Sequence, residues 1–300
     1  MVLLGDPDKR EMDCKRRLGV TARVTHAPEC TENRLKLPPK GGDFALPIGD
    51  TNIVRTLAML LVSMISFPLV FIRNNSIFQA IMMYTVMILA ILLVFIYAFN
   101  EQMQGIVQKI FYFHVSSSMT AFSAFFLVFV ASIMYLWKNA EWWDAVALSA
   151  AEIGVVFCTL VLITGPIWAR PIWGTWWSWD PTLTLTLVLW LIYVAYLMLR
   201  MDARDPKRAR FAAILGIIGY VDIPLILWSV EKWRTLHPKP VLIQEGGTTE
   251  LPLTMLLTFA VCLVAFILLL FYLLRERVSI IQSQYTIEVL RHQVDDIPTE

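Results

Sequence analysis

Two isolated histidines and one dense knot of tryptophan are the parts of this 300-residue chain with chemistry to offer. His114 closes the segment Lys109-Ile110-Phe111-Tyr112-Phe113-His114, and His237 closes Trp233-Arg234-Thr235-Leu236-His237. The other two histidines, His26 and His292, lie in polar terminal stretches and read as solvated surface. Singly, each of the first pair reads as a plain interfacial histidine. Together, at one depth, they could hold one haem iron from opposite faces, because neutral imidazole is a common ligand for it. The knot is Trp173-Gly174-Thr175-Trp176-Trp177-Ser178-Trp179-Asp180, four indoles within seven residues. Interfacial belts also use Trp, but they spread it over many helices. If this segment is helical, Trp173, Trp176, Trp177 and Asp180 fall at i, i+3, i+4 and i+7 and share one face. Such a shelf suits a large flat apolar ligand, with each indole N–H as a polar handle. Asp180 precedes Pro181 and an apolar run, the pattern of an N-cap followed by proline at the first helical position. Capping is its first reading and ligand contact a second; the two are compatible.

The elements that must position these groups follow from composition. The chain is 57% hydrophobic and 16% charged, with 11 Trp, 17 Phe and a mean hydropathy of +0.62. Globular soluble chains carry about 25% charge. A soluble enzyme, a disordered chain and a secreted disulfide scaffold are therefore excluded. A net charge of +1 provides no basic field for nucleic acid. Cys14, Cys30, Cys158 and Cys262 form no C-x-x-C pair and no C-x-x-C-H haem-attachment site. A helical span needs about 20 apolar residues. Runs at about 77–99, 115–137, 146–168, 181–199, 211–230 and 251–274 qualify, and they lack the alternation of membrane strands. The expected fold is all-α, a polytopic bundle of six transmembrane helices with an external Trp-rich loop. A weaker run at 53–72, interrupted by Arg55 and Pro68, either lies in the interface or adds a seventh span. Residues 1–52 are polar and read as a loosely ordered tail; Met59 and Met64 are alternative starts. Residues 276–300 read as a short cytoplasmic tail.

Lysine and arginine set the orientation. The 200–210 loop holds Arg200, Arg204, Lys207, Arg208 and Arg210 against two Asp, which makes it cytoplasmic. Alternation then places the 100–114, 169–180 and 231–250 segments outside, with His114, His237 and the Trp loop. The 138–145 loop and the Arg275 end fall inside. Glu152 and Asp222, in or near apolar runs, read as structural carboxylates.

The residues now carry a resemblance. The Trp173–Asp180 segment resembles the WWD motif of the haem-handling proteins of cytochrome c maturation. Phe111-Tyr112-Phe113-His114-Val115 with its three following serines, and Ser229-Val230-Glu231-Lys232-Trp233-Arg234-Thr235-Leu236-His237, resemble the two histidine segments of the CcmC family, haem exporter protein C. The likeness covers about 75–275 and makes 77–275 a six-helix cytochrome c assembly domain. It implies a bacterial inner-membrane protein that holds haem b as cargo at its periplasmic face. His114 and His237 would be the axial ligands, with Trp173, Gly174, Trp176, Trp177, Trp179 and Asp180 supporting the macrocycle. It implies a periplasmic haem chaperone, an ABC transporter pair and a small single-span subunit as partners. It also implies lyase-like attachment of haem to the chaperone rather than conventional enzymatic turnover. Two positions depart from the pattern: Thr182 and Lys109 stand where the family carries arginine, so Lys109 or Arg170 would bind the propionates. The rival readings are a haem-translocating transporter, a b-type cytochrome and a longer WWD-type haem-channel synthetase. The cytochrome would bury its histidines deep in the helices, and the transporter needs ligands at more than one depth.

Overall fold

The computed structural model describes residues 76–99, 104–201, 206–233, 235, 237 and 252–295, all within one compact unit, Arg55–Glu300. Every regular element there is a helix. α1 is Ser76–Leu92, continued by a wider turn over Leu93–Tyr97. α2 is Ile110–Lys138, led in by a tight turn over Ile106–Lys109. α3 is Glu141–Trp173, α4 Pro181–Leu199, α5 Pro206–Tyr220, α6 Asp222–Lys232 and α7 Leu253–Asp295. Six helical segments are long and apolar enough to cross a membrane, α5 and α6 together making the fifth. The chain is a polytopic helical membrane protein, as its composition requires. The 1–52 tail and the 53–72 run lie outside the described residues.

The boundaries differ from the apolar runs in physically readable ways. The second helical segment begins at Ile106, ahead of the run at 115, because aromatic residues 111–113 continue the helix face. The expected 138–145 loop shrinks to two residues: Asn139 turns left-handed (φ 50°), its N–H bonds Tyr135 O at 2.8 Å, and α3 starts at Glu141. The fifth span breaks at Val221 because Pro224 has no N–H to give the Tyr220 carbonyl four residues back. α7 does not end near Arg275. It runs on to Asp295, and its 43 residues reach ~65 Å, about twice the hydrocarbon thickness.

α2 and α3 form the central pair. α7 packs on α1, α2 and α3, while α4 is flanked by α3, α5 and α6. The core between them is aromatic and small by turns. The Phe125 ring stacks on Tyr193 at 3.8 Å with a 12° interplanar angle, and its Cδ1–Cε1 edge meets Gly154. A Cβ at Gly154 would stand 2.5 Å from Phe125 Cε1. The Tyr193 hydroxyl donates to Gly216 O at 3.1 Å, tying α4 to α5.

Polar pairs fasten the end that holds the α2–α3 turn. Arg200, 3% exposed, bonds Asp144, so it is a buried partner and not a free loop cation. Arg277 grips Glu152 through Nε and Nη2 at 2.6 and 2.8 Å, and Arg275 donates to Gln79. Glu152 thus has the structural role its position suggested. Asp222 is buried, and its Oδ2 meets no hydrogen-bond donor among the described residues.

The Phe125 contact generates a test. Gly154→Ala overpacks a fully buried ring already stacked on Tyr193, and should cost about 1–3 kcal/mol. Thermal unfolding of detergent-solubilised protein should report a lowered midpoint, and Phe125→Leu in the same chain should restore part of it.

Candidate functional site

Alternating spans bring six chain segments to the other end of the bundle: the end of α1, the starts of α2, α4 and α7, and the ends of α3 and α6. The haem-site candidates, His114, His237, Lys109, Arg170 and the Trp173–Asp180 segment, are carried by these segments or the links between them. The segment Ile106–Lys138 spans 33 residues, ~50 Å, against about 30 Å of hydrocarbon. Centred, it leaves ~10 Å beyond the apolar slab at each end, which sets His114 near the boundary.

His114 is 9% exposed and faces α3. Its Nδ1 lies 2.8 Å from Thr164 Oγ1, its Cε1 would be 3.4 Å from a Cβ at Gly165, and its ring meets Trp168 edge-on at 5.8 Å. Trp168 donates its indole N–H to Gln104 Oε1 at 3.2 Å and also packs edge-on against Phe111. Thr164, Gly165, Trp168 and Gln104 were not among the sequence candidates. The available signal was the four-residue spacing of Thr164 and Trp168 on one helix face.

His237 is half-buried beyond α6, with its backbone N–H bonded to Thr235 Oγ1 at 3.1 Å in a local turn. Its imidazole is within electrostatic reach of His114. Among the described residues no cluster of three or more His, Cys, Asp or Glu gathers as a metal site. Two imidazoles suit a metal whose other positions a macrocycle fills.

The Trp loop is not helical, so the expected shared face does not form. Gly174 ends α3 in a left-handed conformation (φ 75°), open to it without steric cost, and bonds Arg170 O at 3.0 Å. Pro181 disfavours helical geometry at Asp180, and Thr175 Oγ1 donates to Trp177 O at 2.9 Å. In the resulting irregular segment the indoles differ in exposure. Trp173, Trp176 and Trp179 are exposed, Trp179 by 75%. Trp177 is half-buried and meets Trp179 edge-on at 5.7 Å. The Trp177 indole N–H is buried and has no acceptor among the described residues. It is a polar handle of the kind a flat ligand with peripheral acceptors would use.

Asp180 caps α4: Oδ1 accepts from Leu183 N at 3.1 Å, Oδ2 from Ser178 at 3.1 Å, and Pro181 takes the first helical position. Thr182 is buried and bonds Ser229 Oγ at 2.9 Å, linking the start of α4 to α6. Lys109 donates to Phe95 O at 3.2 Å and sits over the Phe95 ring, pinning the end of α1. Arg170 is exposed and donates to Gly174 O, closing the turn that launches the Trp loop.

The arrangement defines a class: a six-span helical bundle that collects an imidazole pair and an indole-rich loop at one end. Within that class the chain belongs to the CcmC family, "Heme exporter protein C", whose model matches residues 61–291. It is 36% identical to "Heme exporter protein C" of Bradyrhizobium diazoefficiens over 57% of this chain and 65% of that one. It is 36% identical to the Escherichia coli protein of that name over 49% and 60%. With the Haemophilus influenzae protein of the same name it shares 31% identity over 61% and 75%. The first two matches thus cover less than two thirds of those relatives.

The cap can be separated from any ligand role. Asp180→Ala should destabilise the protein by ~1 kcal/mol, and Asp180→Asn by much less, because an asparagine oxygen caps equally well. Thermal midpoints of the two variants check this.

Proposed function

We propose that this chain holds haem b at the end of the bundle that carries the Trp loop, and presents it for covalent attachment to a haem chaperone on the same side of the membrane. The carrying observation is the buried imidazole of His114, bonded through Nδ1 to α3 and within electrostatic reach of His237. Iron would sit between these two rings. The exposed indoles of Trp173, Trp176 and Trp179 would cover the apolar macrocycle, and Trp177 N–H would meet an acceptor on its edge. Gly174 and Asp180 fix the two ends of that loop. Lys109 precedes His114 by five residues and Arg170 precedes Trp173 by three, and each keeps N–H donors beyond the single bond described for it. They are our candidates for the propionates.

The family supports this reading, since the relatives carry "Heme exporter" in their names. We assign the bundle to a bacterial inner membrane with the Trp loop in the periplasm. The positive residues Lys207, Arg208 and Arg210 at the opposite end favour that orientation. An ABC transporter pair and a small single-span subunit are the expected membrane partners. The protein positions the cargo, and bond making belongs to the haem vinyl group and the chaperone. Presentation is favoured over passage through the bundle, because among the described residues both candidate ligands lie at one end.

Purified protein should carry a low-spin haem spectrum. His114→Ala and His237→Ala should each convert it to a five-coordinate form, and the double variant should lose nearly all bound haem. Unchanged spectra in both single variants would refute the ligand pair. Trp177→Phe keeps an aromatic face but removes the N–H; faster haem transfer to apomyoglobin than from the unaltered protein is expected, with unchanged membrane insertion.

A further inference from the structure

The bond between His114 and Thr164 has a direction, and that direction selects a nitrogen. A threonine hydroxyl has one hydrogen and two lone pairs. Thr164 Oγ1 lies 2.7 Å from the Leu160 carbonyl one turn back on α3, with Val161 O a distant second at 3.5 Å. A carbonyl can only accept, so the hydroxyl hydrogen is spent there. Against His114 Nδ1, at 2.8 Å, the same oxygen must then be the acceptor. His114 Nδ1 therefore carries the hydrogen, and in a neutral imidazole the lone pair is left on Nε2.

The ring is held in that pose by more than one bond. Gly165 leaves room for Cε1, where a Cβ would already be in contact at 3.4 Å. The edge of Trp168 limits rotation, and Gln104 holds Trp168 in turn. Threonine is itself stiff, with its rotamer set by the back-bond to Leu160.

We infer that Thr164 is the positioning residue for His114: its hydroxyl fixes the Nδ1–H tautomer and presents Nε2 as the iron-ligating nitrogen. This inference rests on the haem-ligand reading above. Hydrogen-bonded partners of metal-ligating histidines orient the ring and raise its basicity, and their loss typically costs 10–100-fold in affinity. A more basic axial ligand favours ferric over ferrous iron, so losing the bond raises the reduction potential.

Three measurements test it. In apoprotein labelled with ¹⁵N-histidine, the His114 signals, assigned by their loss in His114→Gln, should show Nδ1 protonated and Nε2 bare. The opposite tautomer overturns the inference without any variant of Thr164 having to fold. In haem-loaded protein, Thr164→Val should weaken haem affinity 10–100-fold and move the reduction potential upward, and Thr164→Ser should restore both. If Thr164→Val matches the unaltered protein in affinity and potential while His114→Ala destroys the low-spin spectrum, the Thr164 role is wrong and the ligand reading stands. If His114→Ala leaves the spectrum unchanged, both are wrong.

Discussion

Hydrocarbon offers a peptide group no hydrogen-bond partner, and the whole arrangement follows from that constraint. Each crossing has to be a helix. Short turns such as Asn139-Ala140 then make successive helices antiparallel. Six crossings deliver the end of one helix and the start of the next to the same side. His114 at the start of α2, Trp173 at the end of α3 and Asp180 at the start of α4 are far apart or merely adjacent in sequence, yet antiparallel packing makes them neighbours in depth. Irregular backbone, which lipid would penalise, falls mainly in the links between spans, the break at Val221 inside the fifth span being the exception among the described residues. The residues with chemistry sit in those links or in the helix ends beside them.

The two ends of the bundle are fastened differently. At one, charge meets charge: Arg200 with Asp144, Arg277 with Glu152. Removing one partner of the buried Arg200–Asp144 pair leaves an uncompensated charge in a poor solvent, whereas the part-exposed Arg277–Glu152 pair is screened by water and contributes less. At the other end single charges meet neutral groups: Lys109 on Phe95 O, Arg170 on Gly174 O, and the Asp180 carboxylate on Leu183 N–H and the Ser178 hydroxyl. Neutral hydrogen bonds hold a ring in place without imposing a strong local field.

Helix number and type were legible in the sequence because bilayer thickness sets a length that apolar runs either meet or miss. Helix ends were less legible, because amphipathic and aromatic residues extend a helix past its apolar run. Ile106–Phe113 and the last five turns of α7 are such cases. The Asp180 cap was readable, since aspartate before proline has few other meanings. The helical form considered for the Trp loop was not realised: i, i+3, i+4 spacing describes a face only where the backbone is helical, and Gly174 and Pro181 prevent that. Thr164 carries no signal of its own, since hydroxyls that bond back to their own helix are common in membrane spans. Its meaning depends on which ring the fold places beside it.

Thr182 shows how one substitution redistributes work across the site. The resemblance implies an arginine there, a residue suited to gripping carboxylates in pairs. In this chain the position is buried, and its hydroxyl bonds Ser229 on α6. Ser229 gives its own hydrogen to Ile226 O at 2.7 Å, so Thr182 must be the donor. That bond joins the helix capped by Asp180 to the helix that leads to His237. The bond therefore ties the helix after the Trp loop to the helix before the second histidine segment, and in the proposed haem site the anionic ligand would fall to other cations. Arg170 has the larger capacity of the two candidates, because one bond to Gly174 O leaves four of its five N–H donors, whereas Lys109 offers a single compact charge already set over Phe95. A loop fixed at one end by Arg170 and at the other by Asp180 would then contribute both the indoles and the anion partner from one short stretch of chain.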